Sequence, residues 1–261
     1  MALHAIVSQL ARAPRTVAAF FDFDGTLSSI CDDPESVRPL AGVVDGLSVL
    51  AKELGVVAIV SGRPVSFLES VFSDANLQLS GLYGLEHRSN GELRVDEAAL
   101  EWSSSIAAVA ESATAEFGAA AVENKRYSIT VHYRRENEDF AQRVHAWAAK
   151  VSADTGLEAR GAKQSVEIHP PIVRSKGDAV EDMLDGAQVA SYFGDDLGDR
   201  PAFERLASLT NDGSLSSSAR VLVTGPETPP ALGEYATDLV EGPEGAYELI
   251  LQMVQALPNQ S

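Results

Sequence analysis

Four short stretches carry side chains able to do chemistry on a small anionic substrate. Asp22 and Asp24 stand two positions apart in VAAFFDFDGT, residues 17–26. Ser61 and Arg63 follow the apolar run VVAIV, Lys176 opens an amphipathic stretch, and Asp195, Asp196 and Asp199 follow VASYF. Carboxylates gathered in one place repel one another unless a cation sits among them. A hard ion such as Mg²⁺ takes oxygen ligands from one or two carboxylates and keeps room for water and phosphate. A lysine, a serine hydroxyl and a helix N-terminus beside it make a phosphate cradle. In that setting a fixed carboxylate can attack phosphorus in line. Asp22 suits the nucleophile, through an aspartyl-phosphate. Asp24 suits the group that protonates the leaving alkoxide and then activates water.

These side chains need parallel strands to present them. An apolar run with no polar alternation reads as a strand buried on both faces, and ligands bind beyond the C-terminal ends of such strands. VAAFF, VVAIV and VASYF all fit. Asp22 and Asp24 point to one side of an extended chain, and Gly25 allows a tight exit. Residues 27–39 read as irregular, with Asp32, Asp33, Pro34 and Pro39 as breakers. Val43 to Leu54 has helical spacing, and Pro64 suits the first turn of the next helix. Leu77 to Leu85 reads as a strand, and Asn90-Gly91 as a hairpin turn. A β-α-β-α-β order signals a doubly wound, mostly parallel α/β core.

The pattern changes between residues 89 and 171. Two rounds of helix-strand-strand predict an inserted α+β domain, with the core formed by residues 1–88 and 172–261. Ser175 reads as the N-cap of the helix that resumes the core. A final strand is expected at Arg220 to Val223 and a closing helix at Glu244 to Leu257.

The 261 residues carry a formal net charge of −18, which disfavours nucleic acid and anionic membranes as partners. No apolar run is long enough to span a bilayer. The single cysteine, Cys31, excludes an internal disulfide and points to a reducing compartment. A cytoplasmic monomer acting on a small molecule is the expectation. His87, His132 and His169 lack metal-ligand spacing and read as structural or substrate-adjacent.

The four motifs, in this order, resemble the haloacid dehalogenase superfamily of phosphohydrolases: D-F-D-G-T at 22–26, Ser61, Lys176 and G-D-D-x-x-D at 194–199. The chain further resembles the trehalose-6-phosphate phosphatases, through S-G-R at 61–63, G-L-Y-G-L-E at 81–86, V-E-N-K at 122–125, H-Y-R at 132–134, V-E-I-H-P-P at 166–171 and K-G at 176–177. The resemblance implies that the insertion is a cap. It implies Asp22 as nucleophile and Asp24 as acid/base, with Ser61 and Lys176 holding the phosphate. Asp22, the Asp24 main-chain carbonyl and Asp195 would bind Mg²⁺, with Asp196 and Asp199 in support. Glu123, Lys125 and Glu167 of the cap would face the sugar. Thr26 and Arg63 join the substrate-binding set, although Arg63 also suits a helix cap. The chain departs from the family pattern at His169, Ser175, Gly198 and Arg200. A capped phosphatase for sucrose 6-phosphate or mannosyl phosphoglycerate, and a non-catalytic sugar-phosphate sensor, stay open at this point.

Overall fold

The computed structural model describes residues 2–31, 36–73, 77–134, 136–162 and 164–258; the breakers Asp32, Asp33 and Pro34 lie outside them. The chain divides into two units, Met1–Leu93 with Arg174–Ser261, and Arg94–Val173.

The first unit begins with α1 (Ala2–Arg12), β1 (Val17–Phe21), α2 (Val43–Glu53), β2 (Val56–Val60), α3 (Val65–Phe72), β3 (Gln78–Gly81), β4 (Glu86–Ser89) and β5 (Glu92–Val95). The second unit holds α4 (Glu97–Phe117), β6 (Val122–Asn124), β7 (Ile129–His132), α5 (Glu138–Thr155), β8 (Glu158–Ala162) and β9 (Ser165–His169). The core resumes with α6 (Lys176–Asp182), β10 (Val189–Gly194), α7 (Arg200–Asn211), β11 (Ser217–Thr224), β12 (Asp238–Glu241) and α8 (Gly242–Gln255).

The core sheet runs β12-β11-β10-β1-β2-β3-β4-β5. From β12 to β3 every pairing is parallel, and β4 turns antiparallel to β3. Alternation along β1 explains its unbroken apolar sequence. Val17, Ala19 and Phe21 enter one core with α1, α2, α3 and α8, while Ala18 and Phe20 enter another with α6 and α7. Both faces are dry, so no polar residue is tolerated until Asp22, where the strand has ended. Phe21 and Phe193 stack at 4.7 Å between centroids at the matching ends of β1 and β10, which fixes the two acidic turns side by side.

In the second unit the antiparallel order is β6-β7-β9-β8. Ile129, Val131, Val166 and Ile168 pack against α4 and α5. The residues between them, Thr130 and Glu167, belong to the opposite face.

Two expectations need correction. Leu82–Gly84 leaves the sheet as a short 3₁₀ turn, because its hydrogen bonds go to the loop after β2. Pro64 is the N-cap of α3, with extended ψ of 151°, and does not lie within its first turn. The Asn90-Gly91 hairpin joins β4 to β5, both in the core sheet, and the two compact units part within β5, between residues 93 and 94. The sequence reading also missed β12.

Candidate active site

The turns after β1, β2 and β10 meet at one edge of the core sheet, and the start of α6 joins them. Asp22 begins where β1 stops: its N–H donates to the Phe193 carbonyl at 2.9 Å. Gly25 follows with φ of +88°, and any β-carbon there would collide with the Asp195 carboxylate. That position therefore demands glycine on two counts. Thr26 is buried and donates its hydroxyl to Asp195 Oδ1 at 3.3 Å.

Lys176 reaches this edge because α6 is capped. Ser175 and Asp178 form a reciprocal capping box, which holds the first turn so that Lys176 points inward. Its ammonium lies 2.8 Å from Asp22 Oδ1 and 2.6 Å from Asp199 Oδ1, with all three side chains almost wholly buried. Burial works to lower the lysine pKa, but Asp199 and Asp22 outweigh it and hold the ammonium well above the ordinary lysine value. Burial raises the Asp22 carboxyl well above the usual carboxylate range. Lys176 opposes that rise, while Asp199, Asp195 and Asp196 add to it.

Asp199 has a different occupation. Oδ1 accepts from Lys176 and from the Tyr192 hydroxyl at 2.7 Å, and Oδ2 accepts from the N–H groups of Asp195 and Asp196 at 2.8 and 3.0 Å. A carboxylate accepts about four such bonds, so Asp199 is fully used as an internal brace. Asp196 Oδ1 accepts from the Gly198 N–H at 2.8 Å.

Oxygens of Asp22, Asp195 and Asp199 lie within 4.8 Å of one another, the one group of this kind among the described residues. Three buried carboxylates thus face one buried ammonium. Oxygen-only donors with surplus negative charge fit a hard divalent cation. Since Asp199 is saturated, Asp22 and Asp195 have the carboxylate oxygens that suit it.

Arg63 turns onto Asp24. Its Nε donates to Oδ2 at 2.9 Å and Nη2 to Oδ1 at 2.8 Å, and its guanidinium lies 4.7 Å from the Phe67 ring centroid. The Ser61 hydroxyl is buried and accepts from the Arg63 N–H at 3.2 Å.

The second unit assembles its own polar cluster. In register, Glu123 faces Thr130 and Thr130 faces Glu167, which places the three in a row across β6, β7 and β9. Lys125 Nζ lies 3.4 Å from Glu167 Oε1, and the Ser128 hydroxyl donates to the same oxygen at 2.8 Å. His132 Nε2 is 3.0 Å from Glu123 Oε2. The sequence reading missed Ser128 and Tyr192. A tyrosine inside a fully buried strand was the available signal, because its hydroxyl needs a partner. Arg200, one of the departures, faces outward to Glu204 and Tyr235.

Residues 20–227 match the family model described as trehalose-phosphatase. The trehalose-phosphate phosphatase of Mycolicibacterium paratuberculosis is 29% identical over 255 residues, which cover 89% of this chain and 65% of that protein. An uncharacterized glycosyl hydrolase of Mycobacterium tuberculosis is 32% identical over 214 residues, covering 76% of this chain and 16% of its own length. The chain therefore spans less than two thirds of these relatives. The C-terminal domain of the C. albicans trehalose-6-phosphate phosphatase superposes with a TM-score of 0.76 at 21% identity, covering 98% of this chain and 97% of that domain. The fold is that of the capped haloacid dehalogenase-like phosphatases. Among the described residues, no helix is long and apolar enough to cross a membrane.

Proposed function

The chain belongs to the trehalose-phosphatase family, and we propose that it hydrolyses trehalose 6-phosphate to trehalose and phosphate. The observation that carries the reading is the meeting of Lys176 with Asp22 beside Asp195, in a chain of that family.

In this mechanism an Asp22 oxygen attacks phosphorus while the bond from phosphorus to the sugar oxygen breaks. Asp24 delivers its proton to that departing oxygen. It then takes a proton from water, which attacks the aspartyl-phosphate and releases phosphate with Asp22 restored. Lys176 and the Ser61 hydroxyl neutralise and orient the phosphoryl oxygens, with Thr26 keeping Asp195 in place. Asp22, the Asp24 carbonyl and Asp195 would hold Mg²⁺, Asp196 and Asp199 acting behind them. When bound, the ion supplies positive charge against the phosphoryl oxygens. Glu123, Lys125 and Glu167 suit recognition of sugar hydroxyls. The lone Cys31 accords with a reducing, cytoplasmic setting.

Phosphate release from a panel of sugar phosphates with Mg²⁺ tests this. Trehalose 6-phosphate is expected to be the fastest substrate. Fast turnover of another member with none of trehalose 6-phosphate overturns the substrate assignment.

A further inference from the structure

We propose that Tyr83 is a positioning residue, whose ring sets the spacing between the loop that carries Ser61 and the loop that carries Asp195. The proposal rests on the phosphatase reading above.

The ring is delivered by an unusual turn. Leu82 (φ 50°), Tyr83 (φ 58°, ψ 30°) and Gly84 (φ 98°) are all left-handed. Residues with a β-carbon avoid that region, and they persist there only where the surroundings over-determine them. Here the surroundings do so. The Leu82 N–H donates to the Arg63 carbonyl at 3.0 Å and the Tyr83 N–H to the Ser61 carbonyl at 3.2 Å. Arg174 Nη2 donates to the Gly84 carbonyl at 3.2 Å, and buried Glu86 accepts from the Val65 N–H at 2.7 Å. The turn is thereby sewn to residues 61–65.

What it delivers is a half-buried phenol between two glycines. A β-carbon on Gly62 would lie 2.9 Å from both Cζ and Oη of Tyr83. Gly62 does not have a left-handed backbone, so its lack of a side chain makes room for the ring. On the other side, a β-carbon on Gly198 would lie 3.8 Å from Tyr83 Cε1 and 3.0 Å from Asp196 Oδ1. The ring therefore fills the space that Gly62 leaves open, and its edge comes within van der Waals reach of the place a Gly198 side chain would take. Ser61 addresses the phosphate and Asp195 the cation, and the distance between them must match one phosphoryl group. A wedge between rigid backbones fixes that distance better than side chains alone.

Kinetics with trehalose 6-phosphate and with a small aryl phosphate, together with Mn²⁺ affinity by paramagnetic resonance, test the proposal. Misplacement by about an ångström can cost up to about 100-fold in rate, so Tyr83→Ala is expected to lower kcat at least about tenfold on both substrates. KM should change less, Mn²⁺ should bind several-fold more weakly, and Tyr83→Phe should recover most of the loss. Gly62→Ala should reproduce the defect, and the double variant should add little to either, as expected for one shared contact. Wild-type kcat on the aryl phosphate with unchanged Mn²⁺ affinity in Tyr83→Ala overturns the proposal. A loss confined to trehalose 6-phosphate, or a lower melting temperature at unchanged kcat, does the same. If the wild type cleaves the aryl phosphate and not trehalose 6-phosphate, the substrate reading fails while the aryl arm still decides on Tyr83. If it cleaves neither, Mn²⁺ affinity decides.

Discussion

Arg63 holds Asp24 through both carboxylate oxygens, at 2.8 and 2.9 Å. The guanidinium is nine-tenths buried, while about a third of the carboxylate side chain remains open. Such a fork fixes the plane of the carboxylate as well as its position. On the proposed mechanism it also occupies the oxygens that would serve the departing sugar, so the pair would have to loosen in each turnover. Arg63→Ala frees Asp24 to rotate, and kcat is expected to fall about tenfold or more. Lysine is a point charge and cannot form the fork, so Arg63→Lys should restore only part of the rate. Steady-state kinetics that leave Arg63→Ala at the wild-type kcat would remove Arg63 from the mechanism.

Asp22→Asn should abolish turnover without unfolding the protein. One charge fewer leaves the Lys176 ammonium balanced by Asp199, with less repulsion from Asp195. In chelator, the variant is expected to melt no more than a few degrees below the wild type. Retained turnover in this variant would exclude Asp22 as the nucleophile.

Asp199→Asn should behave in the opposite way. It removes a charge that anchors Lys176 and sets an amide against backbone N–H groups or the ammonium. Breaking a buried ion pair from one side costs about 3–5 kcal/mol. Calorimetry should therefore show a melting temperature well below that of Asp22→Asn; equal melting of the two variants would contradict the bracing role.

Cation binding can be read without activity. A ligand bound only by the native state raises stability by mass action. Mg²⁺ is expected to raise the melting temperature of the wild type and to do so far less in Asp195→Asn. An equal shift in both would place the ion elsewhere. Chelation should stop turnover, and added Mg²⁺ should restore it.

In the second unit, Ser128→Ala leaves Glu167 short of one hydrogen bond. The expected effect is a drop in kcat/KM for trehalose 6-phosphate several-fold larger than for a small aryl phosphate, since the latter offers no sugar hydroxyls. A proportional loss on both substrates would argue against sugar recognition by this cluster.

The strands that frame the site were legible because burial on both faces leaves an unmistakable apolar run, as in VAAFF and VVAIV. β12 was not: DLVE has charged ends, and Leu239 is 64% exposed on an edge strand. Leu82 and Leu85 looked like strand because they are apolar and buried, yet the left-handed turn is imposed by hydrogen bonds to residues far back in the chain. The motifs offered candidates for the reacting groups from their types and order, and the structure brings Asp22, Lys176, Asp195 and Asp199 together. The resemblance implied Asp195 at the cation with Asp196 and Asp199 in support; the residues alone do not show which neighbours saturate each carboxylate, as four donors do for Asp199. For Arg63 the sequence offered substrate binding or a helix cap and not the Asp24 carboxylate that it meets, since any of these partners suits a guanidinium.

The pairing of β1 with β10, from Val17 with Val189 to Phe21 with Phe193, has a consequence for synthesis. Everything between these strands, including the whole of Arg94–Val173, must be made before Asp22 gains a neighbour on that side. Closing so long a loop adds little to the equilibrium cost, about 0.6 kcal/mol per doubling of length, but it makes the pairing late and slow. Units emerge and fold from the N-terminal side on the ribosome. The inserted unit can therefore be complete while the candidate site is still half built, since Lys176 and Asp195 follow it in the chain. On the proposed mechanism, a nascent chain that has made Asp22 is expected to stay inactive until β10 docks beside β1.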